Sequence, residues 1–220
     1  VLHVILGGHT FQAAERFVHE IFWRTYFKGW LEQHPGVWSD YQVGLRRQIK
    51  SVSKDRRLAA NYAQAMAGQT GIDCFDVWAG ELVRTGYLHN HARMWFASIW
   101  IFTLRLPWEL GADFFLRHLM DGDPASNTLA WRWVAGIQTK GRPYIAGAAN
   151  ISKFTNQKFC PMHQLATKVD PKIDPVDHLL RPIPDATQAK DIQSDFLLLV
   201  TEDDMHIADA LSHSPIATIG

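Results

Sequence analysis

Cysteine is scarce in this chain of 220 residues: Cys74 and Cys160 are the only two, far apart and without metal-type spacing. Their scarcity excludes a disulfide framework and a thiolate metal cluster, and it predicts free thiols in a cytoplasmic protein. A long hydrophobic run is also lacking. The longest, "WFASIWIFTLRL" (95–106), is too short to span a bilayer and contains Arg105, so it reads as a buried core helix. Net charge is missing too, because 22 acidic residues cancel 22 basic ones. Any polyanionic partner must therefore be held by a local patch rather than by a global field. The opening "VLHVILGG" has no basic segment of a secretory signal. It also lacks an initiator Met, which predicts that the chain begins inside a longer protein. Alternating β-type patterning is not found before residue 190.

Apolar helical periodicity fills most of the chain. Residues 11–32 place Phe11, Ala14, Phe17, Val18, Ile21 and Phe22 at helical spacing, and "HPGVW" is expected to break that helix. A second helix is expected over about 55–67, after the basic segment "LRRQIKSVSKDRR". "GQTGID" reads as a turn, followed by a helix that stops at Gly86. A long apolar helix over 88–105 should end before Pro107, and "WELGADFFLRHLM" supplies another. The next begins with Asp123 as N-cap and Pro124 at its first position. Beyond about residue 142 the chain turns rich in Pro, Asn and Asp, predicting loops and short helices. "FLLLVT" (196–201) is compatible with a short strand or a buried extended segment. The fold class is thus all-α with a loop-rich C-terminal tail, divided into residues 1–165 and an extension over 166–220.

Aromatic residues are abundant: nine Trp, twelve Phe and five Tyr, more indoles than routine helical packing asks for. Three polar clusters lie among them. In "MDGDPASNTLAWRWVAG" (120–136), Asp123 can cap a helix, whereas Asp121 exceeds what capping needs. Asn127 and Trp131 are four apart and share a face that could line a pocket for a planar ligand with polar edges. In "TGYLHNHARMW" (85–95), His89, Asn90, His91 and Arg93 crowd a helix start, which a solvated turn also explains. The two histidines point to different faces, so no metal site is expected. Arg93, so close to an apolar segment, calls for a carboxylate such as Asp121 or Asp123. In "HEIFWR" (19–24), Glu20 and Trp23 are helix neighbours, although Glu20 could equally face solvent beside Arg16 or Arg24.

Taken together, "GQTGID", "ELVRTGYLHNHARM", "LPWELGADFF" and "DGDPASNTLAWRWVAG" resemble the FAD-binding helical domain of the DNA photolyase and cryptochrome family, over about residues 15–145. The resemblance implies FAD as cofactor, with Arg24, Tyr87, Asn90, Arg93, Asp121, Asp123 and Asn127 around it. It pairs Arg93 with Asp121 and sets Asn127 facing flavin N5. It implies that Glu20, Trp23, Asn90 and Met94 meet a pyrimidine dimer, with Trp133 and His91 on the DNA side. Trp131 and Trp108 would be the first two tryptophans of an electron-transfer chain. The implied activity is light-driven splitting of pyrimidine dimers by electron transfer from reduced flavin. The alternative within the family is a cryptochrome-type photoreceptor that binds FAD and does not repair DNA.

Four departures accompany the resemblance. No Trp lies between Trp38 and Trp78, where the outermost member of the electron chain is expected, leaving Trp100, Trp95 or Tyr62 as the exit. His91 stands where the family has arginine, and Thr25 where it has an acid. "AANISKF" replaces the usual "FNP" segment. The Ser/Thr-rich segment that wraps the FAD pyrophosphate, and the N-terminal antenna domain, are expected to belong to a parent protein. Arg46 and Arg47 lead the basic run, which suits either DNA phosphate contact or a solvated face.

Overall fold

A computed structural model describes residues 7–169 and 178–182, together with the backbone of two short strands at 197–198 and 218–219. Eight α-helices are found among the described residues: α1 (Phe11–Gln33), α2 (Pro35–Lys54), α3 (Arg56–Ala67), α4 (Asp73–Thr85), α5 (Asn90–Ser98), α6 (Trp108–His118), α7 (Pro124–Val134) and α8 (Ala148–Phe154). The all-α class holds. One compact unit ends at Arg181; in a second, Leu197–Leu198 pairs in parallel with Thr218–Ile219. Leu197 and Leu198 thus supply the strand part of the "FLLLVT" expectation, whose other four residues lie outside the described ones.

Two helix expectations need correction. "HPGVW" does break the first helix, at His34, but the next helix does not wait until about residue 55: α2 runs from Pro35 through the basic segment to Lys54. Pro35 sits at the first helical position, where its missing N–H costs nothing. The His34 ring stacks on Trp30 with centroids 3.9 Å apart, and its Nδ1 lies 2.8 Å from the Trp30 carbonyl. The second correction concerns 88–105. The α-helix ends at Ser98, and Ile99–Thr103 widens into a π-turn, closed by the Leu104 amide on the Ile99 carbonyl. Arg105 then adopts a positive φ of 56°. The wider turn places the Trp100 indole so that its Nε1 donates to the Pro107 carbonyl at 2.9 Å.

Other boundaries follow from local chemistry. Asp55 caps α3 by accepting from the amides of Arg57 and Leu58. In "GQTGID", the Asp76 carboxylate gathers the Thr70 amide and hydroxyl and the Gly71 amide, at 2.7–2.9 Å, and so holds the turn. Gly86 ends α4 in the left-handed region, with φ 68°.

The core lies between α4, α5, α6 and α7. Phe75, Phe96, Trp100 and Phe114 are at most 1% exposed and stack on one another, Phe75 on Phe96 at 4.2 Å. Trp78, Trp95 and Trp131 join them. Much of the tryptophan excess is therefore packing: these rings bury large apolar areas and fill the centre of the domain. Gly111 on α6 makes the closest approach possible. A Cβ there would collide with the six-membered ring of Trp131 and lie 2.9 Å from Trp100 Nε1.

Candidate functional site

A cavity of about 290 Å³ opens between α1 on one side and α5, α6 and α7 on the other. Its inner wall is apolar, formed by Phe115, Leu119, Trp131 and Val134. Polar groups converge on its rim, an arrangement typical of small-molecule sites.

Asp123 organises one side. Its carboxylate caps α7 by accepting from the Ser126 amide at 2.8 Å. It also meets Lys28 Nζ at 3.4 Å and lies 4.0 Å from Arg24 Nη2, both on α1. Burial works against ionisation of this carboxyl, but the Ser126 hydrogen bond and the two cations outweigh it and hold its pKa below the ordinary aspartate value. One side chain therefore starts α7 and fastens α1 to it.

Arg93 organises the other side. Its Nε donates to the Leu88 carbonyl at 2.8 Å, and Nη2 donates to both Asp121 oxygens at 3.0 and 3.1 Å. The pair is partly exposed, so it contributes at most about 1 kcal/mol and serves mainly to fix position. The guanidinium also lies over the Tyr87 ring, 5.8 Å from its centroid. Asn127, buried on the same face of α7 as Trp131, is anchored by donation from Nδ2 to the Ala112 carbonyl at 2.8 Å.

Twelve sequence-derived site residues meet around this cavity: Glu20, Trp23, Arg24, Asn90, Arg93, Met94, Asp121, Asp123, Asn127, Trp131 and Trp133 line it, and Tyr87 supports it through Arg93 without lining it. Glu20 and Trp23 stand exposed on α1 at its mouth. Trp133 stacks on Tyr144 with centroids 5.5 Å apart.

Four residues are elsewhere. His91 belongs to a separate cleft, stacked with His89 at 5.6 Å, Trp95 at 5.6 Å and Phe154 at 5.3 Å. Arg46 and Arg47 sit on α2 in a surface groove with Lys50 and Lys54. Trp108 makes its ring contact with Tyr41, at 5.6 Å, whereas Trp131 meets Trp100 at 6.2 Å and Phe115 at 5.1 Å. Lys28 was missed by sequence reasoning, although its spacing of four from Arg24 could have shown that both reach one carboxylate. Phe115 and Leu119 were missed as well, since apolar spacing does not separate a cavity wall from a core. Among the described residues, no group of three or more His, Cys, Asp or Glu is placed to hold a metal ion.

A helical domain with one rimmed, aromatic-walled cleft of this kind is a binding domain for a planar ligand with polar edges. A family model for the FAD binding domain of DNA photolyase matches residues 17–197, and the chain belongs to that family. It is 38% identical over 139 residues to a deoxyribodipyrimidine photo-lyase of Streptomyces griseus, covering 63% of this chain and 28% of that protein. Photo-lyases of the same name from Neurospora crassa and Escherichia coli are 30% and 29% identical over 141 and 133 residues, covering 63% and 60% of this chain and 22% and 27% of those proteins. The chain spans about a quarter of the length of these curated relatives.

The cofactor of this family is FAD. The residues present fit its isoalloxazine end. Trp131, on the cavity wall, has a buried Nε1 with no hydrogen-bond partner. Asn90, Arg93 and Asn127 supply donors, and the apolar wall suits a planar ring.

Proposed function

We propose that the cavity holds the flavin of a light-driven enzyme of the deoxyribodipyrimidine photo-lyase class, a lyase that repairs DNA. The observation that carries this reading is the convergence of Arg93, Asp121, Asp123 and Asn127 on an aromatic wall, with Glu20 and Trp23 at the mouth. When bound and reduced, the cofactor supplies an electron on illumination; its organic chemistry is its own. The protein's part is positional and electrostatic. Arg93, tethered by Leu88 and Asp121, presents a fixed positive charge on the rim. Asp123 keeps α1 at a set distance from α7, which determines the width of the cleft. Asn127, fixed by Ala112, offers an oriented amide to a ring nitrogen.

A pyrimidine dimer flipped from the DNA stack would enter at the mouth. There the Trp23 indole, 54% exposed, offers a stacking face, and the Glu20 carboxyl reaches the substrate as hydrogen-bond partner. Met94, Asn90 and Trp133 line the cavity as well and would complete the contacts to the dimer. Arg46, Arg47, Lys50 and Lys54 would add phosphate contacts without sequence preference. Residues 1–165 are proposed as the FAD-binding portion, with 166–220 as an extension, and an antenna domain of a parent protein as partner. No helix among the described residues is long and apolar enough to cross a membrane, in keeping with the proposed cytoplasmic location.

The rival is a cryptochrome-type photoreceptor. It is favoured by His91, which stacks away from the mouth, and by Thr25, whose hydroxyl is turned back onto the Ile21 carbonyl; both leave the mouth with fewer charged contacts for DNA. Blue-light repair of a dimer-containing oligonucleotide by the flavin-loaded protein decides between them. Repair supports the enzyme; flavin binding with no repair supports the photoreceptor; absence of flavin binding overturns both.

A further inference from the structure

A groove of about 760 Å³ lies between α3 and the turn at residues 103–106. It is remote from the cavity already described. Helix α5 carries Asn90 into that cavity at its start, whereas the groove meets the far end of the π-turn that continues α5, roughly 20 Å along the helix. On the α3 side, Arg57, Asn61 and Gln64 line the groove. Their spacing of four and then three puts them on one helix face, a polar stripe about 10 Å long. Arg105, exposed, lines the other side, and Leu58, Leu104 and Leu106 supply the apolar part of the lining.

The backbone is constrained to put Arg105 there. Its φ of 56° is a left-handed conformation that a residue with a long side chain rarely adopts. Three contacts fix the turn around it: the Leu104 amide on the Ile99 carbonyl at 2.9 Å, the Leu106 amide on the Trp100 carbonyl at 3.0 Å, and the Ala166 amide on the Thr103 hydroxyl at 3.0 Å. The result is a guanidinium set against the polar stripe of α3. Neither Arg105 nor Arg57 makes an ion pair or a side-chain hydrogen bond with any described residue, and the side-chain amides of Asn61 and Gln64 are equally uncommitted. The one acid of the lining, Asp55, caps α3 with an oxygen that accepts from the amides of Arg57 and Leu58. Two unpaired cations thus share the groove with a single carboxylate already engaged by a helix start.

We propose that this groove is a second ligand site, for a mononucleotide. Arg57 and Arg105 hold its phosphate through charge-assisted hydrogen bonds. The leucines cover a face of the base, and Asn61 and Gln64, each both donor and acceptor, reach its polar edge. The stripe from Arg57 to Gln64 matches the reach of a mononucleotide from phosphate to base. A nucleic-acid strand fits less well, because it draws its affinity from several phosphate contacts in a row and the groove offers one pair of cations. The site is independent of what the cavity holds and goes beyond the proposed photo-lyase activity.

Adenosine monophosphate is the probe. In isothermal titration it should bind with one-to-one stoichiometry, with adenosine and inorganic phosphate each at least about tenfold weaker. Photolabelling with an azido-substituted adenosine monophosphate, followed by peptide mass mapping, should place the label on α3 or on residues 103–106. Arg57→Gln, a change at an exposed helix position, should weaken binding about tenfold through the lost charge-assisted contact. Arg105→Gly should weaken it similarly and yet melt at or above the temperature of the unaltered protein, because glycine adopts a positive φ without strain. The two variants together separate a lost contact from a lost fold. An undamaged single-stranded oligonucleotide should not displace the nucleotide. Adenosine binding as tightly as its monophosphate, binding indifferent to both arginine changes, or label on residues of the flavin cavity would overturn the proposal. So would displacement by the oligonucleotide, which would make the groove a nucleic-acid contact instead.

Discussion

Replacing Gly111 with alanine adds one methyl group at the most crowded point of the domain. The new Cβ would meet the Trp131 ring and Trp100 Nε1, and neither indole has room to give way, being 2% and 0% exposed. Overpacking of a filled core costs about 1–3 kcal/mol. At about 2–4 °C per kcal/mol for a domain of this size, Tm should fall by roughly 2–12 °C. Gly80 on α4 is the matched control: it too is inside a helix, but nothing lies within 4 Å of its Cβ position. Gly80→Ala should therefore stabilise by about 0.5–1 kcal/mol through helix propensity alone. Thermal melts followed by circular dichroism at 222 nm compare the two directly, and FAD titration adds a second readout, because Trp131 is pushed toward the cavity. If Gly111→Ala melted at or above the temperature of Gly80→Ala, the close approach of α6 to both indoles would not be a real constraint.

Other expectations follow from particular side chains. Asp123→Asn keeps the cap acceptor but removes the charge that meets Lys28 and Arg24, so it should weaken FAD binding several-fold in an absorbance titration. Because the Asp123 pKa is depressed in the folded state, its contribution to stability is present above the ordinary aspartate range and lost as pH falls through the folded value. The variant should lack that acid-side loss in pH-dependent melts. Glu109, 7% exposed, has the opposite sign: burial raises its pKa despite Arg47 and Gln48. Its stabilising effect is therefore greatest at low pH and declines as pH rises through the folded value, so Glu109→Gln should raise Tm at neutral pH and lose that advantage in acid. Cys74 is buried, with its thiol pushed up to about 11, whereas Cys160 is exposed. One thiol should react with Ellman's reagent in the native protein and two after denaturation.

Local chemistry was the most legible part of the sequence. Asp123 followed by Pro124 announces a helix start without help from the rest of the chain, as Gly86 announces a stop. The Arg93–Asp121 pair spans 28 positions, and charge alone could not choose between Asp121 and Asp123. The resemblance supplied that choice. Helix α2 was hidden because its first turn reads as a breaker and its surface is basic, while its core contacts are few: Val37, Tyr41 and Gly44. The π-turn at Ile99–Thr103 leaves no mark in an all-apolar run, where every register looks equally buried. His91, which lies apart from the cavity, is a related case. Its place beside Asn90 suggests the same cavity, but adjacent helix positions diverge by about 100°, and Phe154, far along the chain, was waiting to stack on it.

The thinness of α1's anchorage has a consequence of its own. Over 23 residues this helix buries only Ala14 and Val18, and although it packs along α7, its polar ties there are the ionic contacts of Asp123. Helices α4 to α7 are knitted together by stacked rings. The domain is accordingly graded in protection: amide protons of α1 should exchange with solvent long before those of α5 and α6. A bulky guest could then enter by brief detachment of this outer helix, with the aromatic centre undisturbed.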